Sequence, residues 1–349
     1  MSDTQHGTVR VRPFLLKPQW MNGLSEKLIV SHYVNNYGGA VRRLNAIRAR
    51  LAALDLGRAP AFEVNGLKRE ELIAMGSVIL HEIYFDSLGG QGDKPPTGSE
   101  QPTAELARAL ERDFGSVAAW REQFVAMAKA LAGGSGWAIL AWSERLGRLV
   151  NHWAADHAHN LPGATPILAI DMYEHAYHID FGAKAALYVD QVMANLNWPR
   201  IGARYRRAIG ERADDDSLFL PYGSPAEPEA RISVEELKAA LEGAGSRPML
   251  LDVCLPRDLP RRSDMLAGAL MHAPEALPRW VDELPRERPI VVYCICGFQV
   301  SGNAVRELRR RGYDARALAG GITAWHAIGG ATVPMDLSTY EAASPVKAP

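Results

Sequence analysis

Between residues 211 and 231 the sequence changes character, and this break constrains the fold more than any other feature. The stretch Glu211-Arg-Ala-Asp-Asp-Asp216 through Pro225-Ala-Glu-Pro-Glu-Ala-Arg231 is charged and proline-rich. Such a composition buries poorly and reads as a linker. The chain has 349 residues, too long for one typical core, so two domains are expected.

Ahead of the break the pattern is first helical. Over residues 25–54, Leu28, His32, Val41, Leu44, Ile47, Leu51 and Leu54 recur at three- and four-residue steps. Gly38-Gly39 interrupts this run and predicts a kink. A second helix is expected over 68–88, with Leu72, Met75, Val78, Ile79, Ile83 and Tyr84 on its apolar side. Residues 89–103 are rich in Gly and Pro and read as a loop. Shorter helices follow over 104–113 and 117–131. The period then changes. Residues 136–142, 148–154 and 165–171 are short, apolar and partly β-branched, which predicts three strands. A last helix is expected over 183–195. Helices, a small sheet and a helix make an α+β layout.

Beyond the break, Ser233-Val-Glu-Glu236 is a capping box opening a helix. Residues 249–253 and 289–293 read as strands. The second leads through Cys294-Ile-Cys-Gly-Phe-Gln-Val-Ser301 into a helix over 302–311. Strand and helix alternate, so an α/β domain with a parallel sheet is expected. The expected boundaries are 1–95 for a helical part, 96–210 for an α/β part, 211–231 for the linker and 232–349 for the second domain.

Charge and hydropathy narrow the function classes. The net charge is −1 with balanced signs, which gives no basic excess for nucleic acid. Residues 1–16 alternate polar and apolar side chains and carry no signal-peptide core. No window holds the ~18 apolar residues of a membrane span. A cytoplasmic protein without nucleic-acid or membrane partners is expected. The three cysteines, Cys254, Cys294 and Cys296, are odd in number and all lie in the last third. That arrangement fits reduced thiols better than a disulfide framework. Of ten histidines only His272 and His326 lie beyond residue 178, so the two halves are expected to carry different chemistry.

Asp171-Met-Tyr-Glu-His175 ends the third expected strand. A carboxylate at a strand end and an imidazole four residues later converge once the chain turns. His32 and His81 sit near the apolar sides of the two long helices. A single histidine in such a place is usually a core residue with a satisfied hydrogen bond. Four groups in this order and context are a stronger signal. Three imidazoles and one carboxylate suit iron or manganese, and the absence of Cys argues against structural zinc.

Asp171-Met-Tyr-Glu-His-Ala-Tyr-His-Ile-Asp180 resembles the signature of iron/manganese superoxide dismutases. Gly134-Ser-Gly-Trp137, Thr165-Pro-Ile-Leu-Ala-Ile-Asp171 and Asn197-Trp198 match that family in order. The resemblance covers about residues 15–205. It implies one Fe or Mn per chain held by His32, His81, Asp171 and His175, with superoxide as substrate. It also implies a homodimer in which Glu174 reaches a ligand histidine of the partner. A histidine that holds metal-bound solvent in some relatives matches His157, with His159 as the alternative. The family's other position for that role, four residues before the second ligand, is Ser77. The gateway tyrosine position is Ala40, a nearby histidine position is Asn36, and the Trp before the interface glutamate is Tyr173. A following Tyr is His178.

Tyr293-Cys294-Ile-Cys-Gly-Phe-Gln-Val-Ser301 resembles the active loop of rhodanese sulfurtransferases. Leu250-Leu-Asp252-Val, Gly312-Tyr313 and Leu318-Ala-Gly-Gly-Ile-Thr-Ala-Trp325 match in support. This resemblance covers about residues 232–330. It implies that Cys294 is a nucleophile carrying a persulfide between a sulfur donor and a thiol acceptor. Gln299 stands where the family commonly has an arginine. Cys296 is a candidate resolving thiol, and Cys254 reads as core. The combined expectation is a dismutase with an appended sulfurtransferase or thiol redox domain. The alternative is a non-dismutating metal-binding dimeric scaffold, or a redox sensor, serving the sulfurtransferase domain.

Overall fold

A computed structural model describes residues 8–90, 94–98, 100–211, 216–220, 223–338 and 340. Of the expected linker, residues 212–215 and 221–222 lie outside the described residues, as do 91–93 and 99 of the loop and residues 1–7 at the start. The chain forms two compact units. One is built on Leu15–Phe219, the other on the residues from Leu220 onward together with Val11–Phe14.

The first unit opens on a helical hairpin. Helix α1 (Glu26–Ser31) starts where the Ser25 hydroxyl accepts the Leu28 N–H at 3.1 Å, satisfying one donor of the first turn. It passes through a π-helical turn, His32–Tyr37, into α2 (Gly38–Ala52). The expected kink is thus corrected. The irregularity lies ahead of Gly38-Gly39, and the glycines continue the helix. A π turn inserts a residue and re-aims the side chains it carries, and here it carries His32. Helix α3 (Ala61–Asp86) returns antiparallel to α2, with Tyr37 Oη on Glu82 at 3.0 Å near one end and Arg50 on Glu63 at 2.6 Å near the other. Helices α4 (Ala104–Phe114) and α5 (Val117–Ala130) follow.

Strands β1 (Trp137–Ser143), β2 (Arg148–Ala154) and β3 (Ala164–Asp171) form an antiparallel sheet in the order β2-β1-β3. Trp137 through Ala141 of the central strand are all fully buried, because α5 packs on this sheet and α3 and α8 pack against β3. Burying Ile139 and Leu140 contributes about 2 kcal/mol each. Helices α6 (His178–Phe181), α7 (Ala185–Ala194) and α8 (Trp198–Ala208) complete the unit.

The second unit is an α/β domain. Its elements run β4 (Arg231–Ile232), α9 (Val234–Glu242), β5 (Met249–Val253), β6 (Asp264–Leu266), β7 (Ala269–His272), α10 (Leu277–Trp280), β8 (Ile290–Tyr293), α11 (Gln299–Arg310), β9 (Ala315–Leu318), α12 (Gly321–Ala327) and β10 (Thr332–Pro334). Five strands form a parallel sheet in the order β4-β9-β8-β5-β7, and β10 pairs antiparallel with β6. The capping box at Ser233 is formed in full, with Ser233 and Glu236 bonding each other's backbone. The fold of both halves therefore has the class the sequence implies: helices with a three-stranded antiparallel sheet, then a parallel α/β domain.

Candidate metal centre

Asp171 ends β3 and lies opposite Trp137 in the strand register. Its Oδ1 accepts the Tyr173 N–H at 2.9 Å. This local bond turns the chain into the short helical turn Glu174–Ala176 and brings His175 back toward the same carboxylate. The Nε2 atoms of His32 and His175 lie 3.1 Å from Asp171 Oδ2, and that of His81 lies at 3.3 Å. The four ligand atoms lie within 4.8 Å of one another, the one such metal-like group found among the described residues. The helical hairpin supplies two imidazoles, and the end of β3 supplies the carboxylate and the third.

The donor set fits a cation. Ser77 O accepts from His81 Nδ1 at 2.7 Å, so the proton sits on Nδ1 and the Nε2 lone pair faces Asp171. Burial lowers the pKa of His32, and pushes that of His81 down to about 3, which keeps both rings neutral. Burial works against the Asp171 carboxylate, yet hydrogen bonds from His175 and His32 hold it below the usual carboxylate range. The centre is thus a fully buried anion surrounded by imidazoles. A buried carboxylate without a cation is costly, and one di- or trivalent ion among these four groups removes that cost.

A cavity of about 380 Å³ reaches the centre. Asn36, Ala40, Arg43, Ser77, His157 and Tyr173 line it beside His81 and His175. The Trp137 indole donates to His157 Nδ1 at 2.9 Å, and the Tyr173 ring stacks on His157 at 4.7 Å and 12°. His159 is instead exposed, 3.7 Å from Asp156, and does not line the cavity. Gly76 on α3 faces the His157 carbonyl so closely that a Cβ would lie 1.9 Å from that oxygen. The loop carrying His157 can sit on α3 only because residue 76 is glycine. Glu174 is exposed on the turn.

Residues 102–204 match the family model described as iron/manganese superoxide dismutases, C-terminal domain. A superoxide dismutase (Fe) of Cupriavidus metallidurans is 59% identical over 199 residues, which span 57% of this chain and 97% of that relative. The chain belongs to the iron/manganese superoxide dismutase family. A superoxide dismutase (Fe) of Aquifex pyrophilus is 36% identical over 200 residues, 56% of this chain and 90% of the relative. A superoxide dismutase (Mn) of Mycolicibacterium smegmatis is 32% identical over 180 residues, 51% of this chain and 80% of the relative. This member of the family carries a second unit, whose residues 233–328 match the rhodanese-like domain model.

In that rhodanese-like domain all three cysteines are buried and free. Cys294 Sγ lies 3.3 Å from Ser301 Oγ, at the start of α11. Cys296 Sγ lies 3.7 Å from Thr323 Oγ1, on α12. The two thiols therefore have different partners on different helices. Burial pushes the Cys254 thiol up to about 12, which keeps it protonated and unreactive. Gly321 holds the loop in place: its φ is +57°, and a Cβ there would lie 2.2 Å from the Cys294 carbonyl oxygen.

Sequence reasoning named His32, His81, Asp171 and His175, and these four come together. It did not find the Trp137–His157 bond or the Ser77 carbonyl as the anchor of His81. The four-residue Ser77–His81 spacing on one helix face was the available signal for the second. It also missed Arg262, which pairs bidentately with the buried Asp252, one bond measuring 2.9 Å.

Proposed function

We propose that the first unit is a superoxide dismutase that uses one iron or manganese ion held by His32, His81, Asp171 and His175. The observation that carries this reading is the approach of three imidazole Nε2 atoms to within 3.1–3.3 Å of one buried carboxylate oxygen. The relatives named as iron and manganese enzymes support it. When bound, the ion supplies a one-electron couple that oxidises one superoxide to dioxygen and reduces the next to hydrogen peroxide.

The chain's own residues then set charge, access and protons. Asp171 contributes one negative charge and the imidazoles none, so the centre stays attractive to a small anion. An indole can only donate, so Trp137 makes His157 Nδ1 an acceptor and leaves the proton on Nε2. His157 thereby offers a hydrogen-bond donor within the cavity, where peroxide formation consumes protons. Ala40 itself contributes no phenol to the cavity wall, and Asn35, Asn36, Arg43, Ser77 and Tyr173 add polar groups beside the histidines.

In this reading the protein acts in the cytoplasm as a homodimer in which Glu174, exposed on its turn, reaches a ligand histidine of the partner. The dismutase domain extends to residue 210, residues 211–231 link the domains, and the rhodanese-like domain begins at residue 232. That domain is a sulfurtransferase in which Cys294 carries the sulfur and exchanges it between a donor and a thiol acceptor. The amides at the N-terminus of α11 favour an anionic sulfur there. A superoxide-consumption assay on metal-loaded protein tests the first activity. Full metal content with no consumption would favour the scaffold reading instead.

A further inference from the structure

The cavity that reaches the centre of the first unit carries one permanent cation. Helix α2 contributes Gly39, Ala40 and Arg43 to its wall. Three residues apart on one helix, Ala40 and Arg43 share a face. The other lining residues are amides, a hydroxyl, a phenol, imidazoles and small or apolar side chains, and none is a carboxylate. Glu70 on α3, which does not line the cavity, accepts a hydrogen bond from the Arg43 guanidinium. Both side chains are open to solvent, Arg43 at 58% and Glu70 at 36%, and exposed ion pairs of this kind hold weakly. Burial is the main cause that lowers the His157 pKa, and the Arg43 charge acts in the same direction. That charge is therefore felt at His157, well inside the site's own machinery.

We propose that Arg43 binds the anionic substrate at the cavity mouth, and that its ion pair with Glu70 is the resting position from which the guanidinium is released. The assignment rests on the dismutase reading of the first unit. Arg43 both lines the cavity and is open to solvent, which places it at the mouth. Ala40 ends at Cβ, so the Arg43 arm can fold inward along the same helix face. Superoxide is a small anion, and a guanidinium offers it two parallel N–H donors. Between low-dielectric walls and with no carboxylate in the lining, that charge attracts more strongly than it would on an open surface.

Glu70 then competes with the substrate for one guanidinium. Removing Arg43 and removing Glu70 must therefore act in opposite directions on anion binding. An ion pair that only braced α2 against α3 would behave differently. Losing either partner would loosen the same brace, and neither loss would strengthen the binding of an anion.

The test uses the iron-loaded full-length chain and azide as the anionic probe, with Kd read from the absorbance change on titration. Working at about 1 M ionic strength limits general charge effects to ~3 Å. Arg43→Gln should raise the azide Kd roughly tenfold, as expected for one charge-assisted hydrogen bond lost, and Arg43→Lys should recover part of it. Glu70→Gln should lower Kd about twofold to fivefold, in line with the release of an exposed ion pair. That gain should vanish in Arg43→Gln with Glu70→Gln. The second-order rate constant for superoxide should follow the same order, with metal content unchanged throughout. An unchanged Kd in Arg43→Gln, or weaker azide binding in Glu70→Gln, would overturn the assignment and leave the pair as a brace, with the dismutase reading intact. Wild type that binds azide but consumes no superoxide would overturn the dismutase reading and the substrate assignment with it.

Discussion

The indole N–H of Trp137 donates to Nδ1 of His157 at 2.9 Å, and this bond decides which nitrogen of His157 is left to donate. Trp137→Phe keeps an aromatic ring and removes the bond, so His157 can adopt either tautomer. Dismutase rate is expected to fall roughly fivefold, in line with the loss of about 1 kcal/mol of hydrogen bonding. Metal content, measured by elemental analysis, should not change. His157→Ala should shift the redox potential and the rate more than the affinity, whereas His159→Ala should affect neither. A change caused by His159→Ala alone would move the role to that residue.

Gly76→Ala tests whether the contact between α3 and the His157 loop matters. A Cβ at residue 76 would lie 1.9 Å from the His157 carbonyl oxygen, so the loop must move away from the helix. Metal content should be retained and dismutase rate should drop. A rate equal to wild type would show that His157 need not be held at its present place.

The sheet of the first unit was legible because its central strand is an almost unbroken apolar run, Trp137–Ser143, and its neighbours are short and partly β-branched. Periodicity places His32 and His81 on helices and Asp171 at a strand end, and the resemblance to iron/manganese superoxide dismutases is what made the four legible as ligands. Helix α3 begins at Ala61, ahead of the expected residue 68. Phe62 is 80% exposed, so the apolar residues of its first turns do not fall on the buried face. Helix α8 was missed because Arg200, Arg204, Arg206 and Arg207 hide its apolar stripe, although Arg200 is itself buried. Strands β4, β6 and β9 are two to four residues long, too short to show a period. The Trp137–His157 bond spans 20 residues and depends on strand register, which local pattern does not encode.

Cys294→Ser should abolish sulfur transfer and leave dismutation intact, since no cysteine lies in the first unit. Cys296→Ser should retain transfer, because Cys296 bonds Thr323 rather than the Ser301 side of the loop. Gln299→Arg should lower KM for thiosulfate, since a guanidinium pairs with oxyanions in a fork geometry. Steady-state assays of the three variants check these outcomes, and transfer surviving in Cys294→Ser would move the nucleophile.

Asp252→Ala should destabilise the second unit. Arg262 is 5% exposed and Asp252 fully buried, so the substitution strands a buried guanidinium at a cost of about 3 kcal/mol. Denaturant unfolding of the full chain should show that unit's transition shifted to lower concentration. Asp252→Leu with Arg262→Met should recover much of the loss, because both charges are then removed.

The central claim is that Asp171 and three histidines hold one redox-active ion. Elemental analysis of protein produced in medium containing both iron and manganese tests it most directly. Wild type should carry close to one ion of iron or manganese per chain. Asp171→Ala, which removes the sole anionic ligand while the hairpin histidines remain, should carry almost none and lose dismutase activity. Near-full metal content in correctly folded Asp171→Ala would contradict the site.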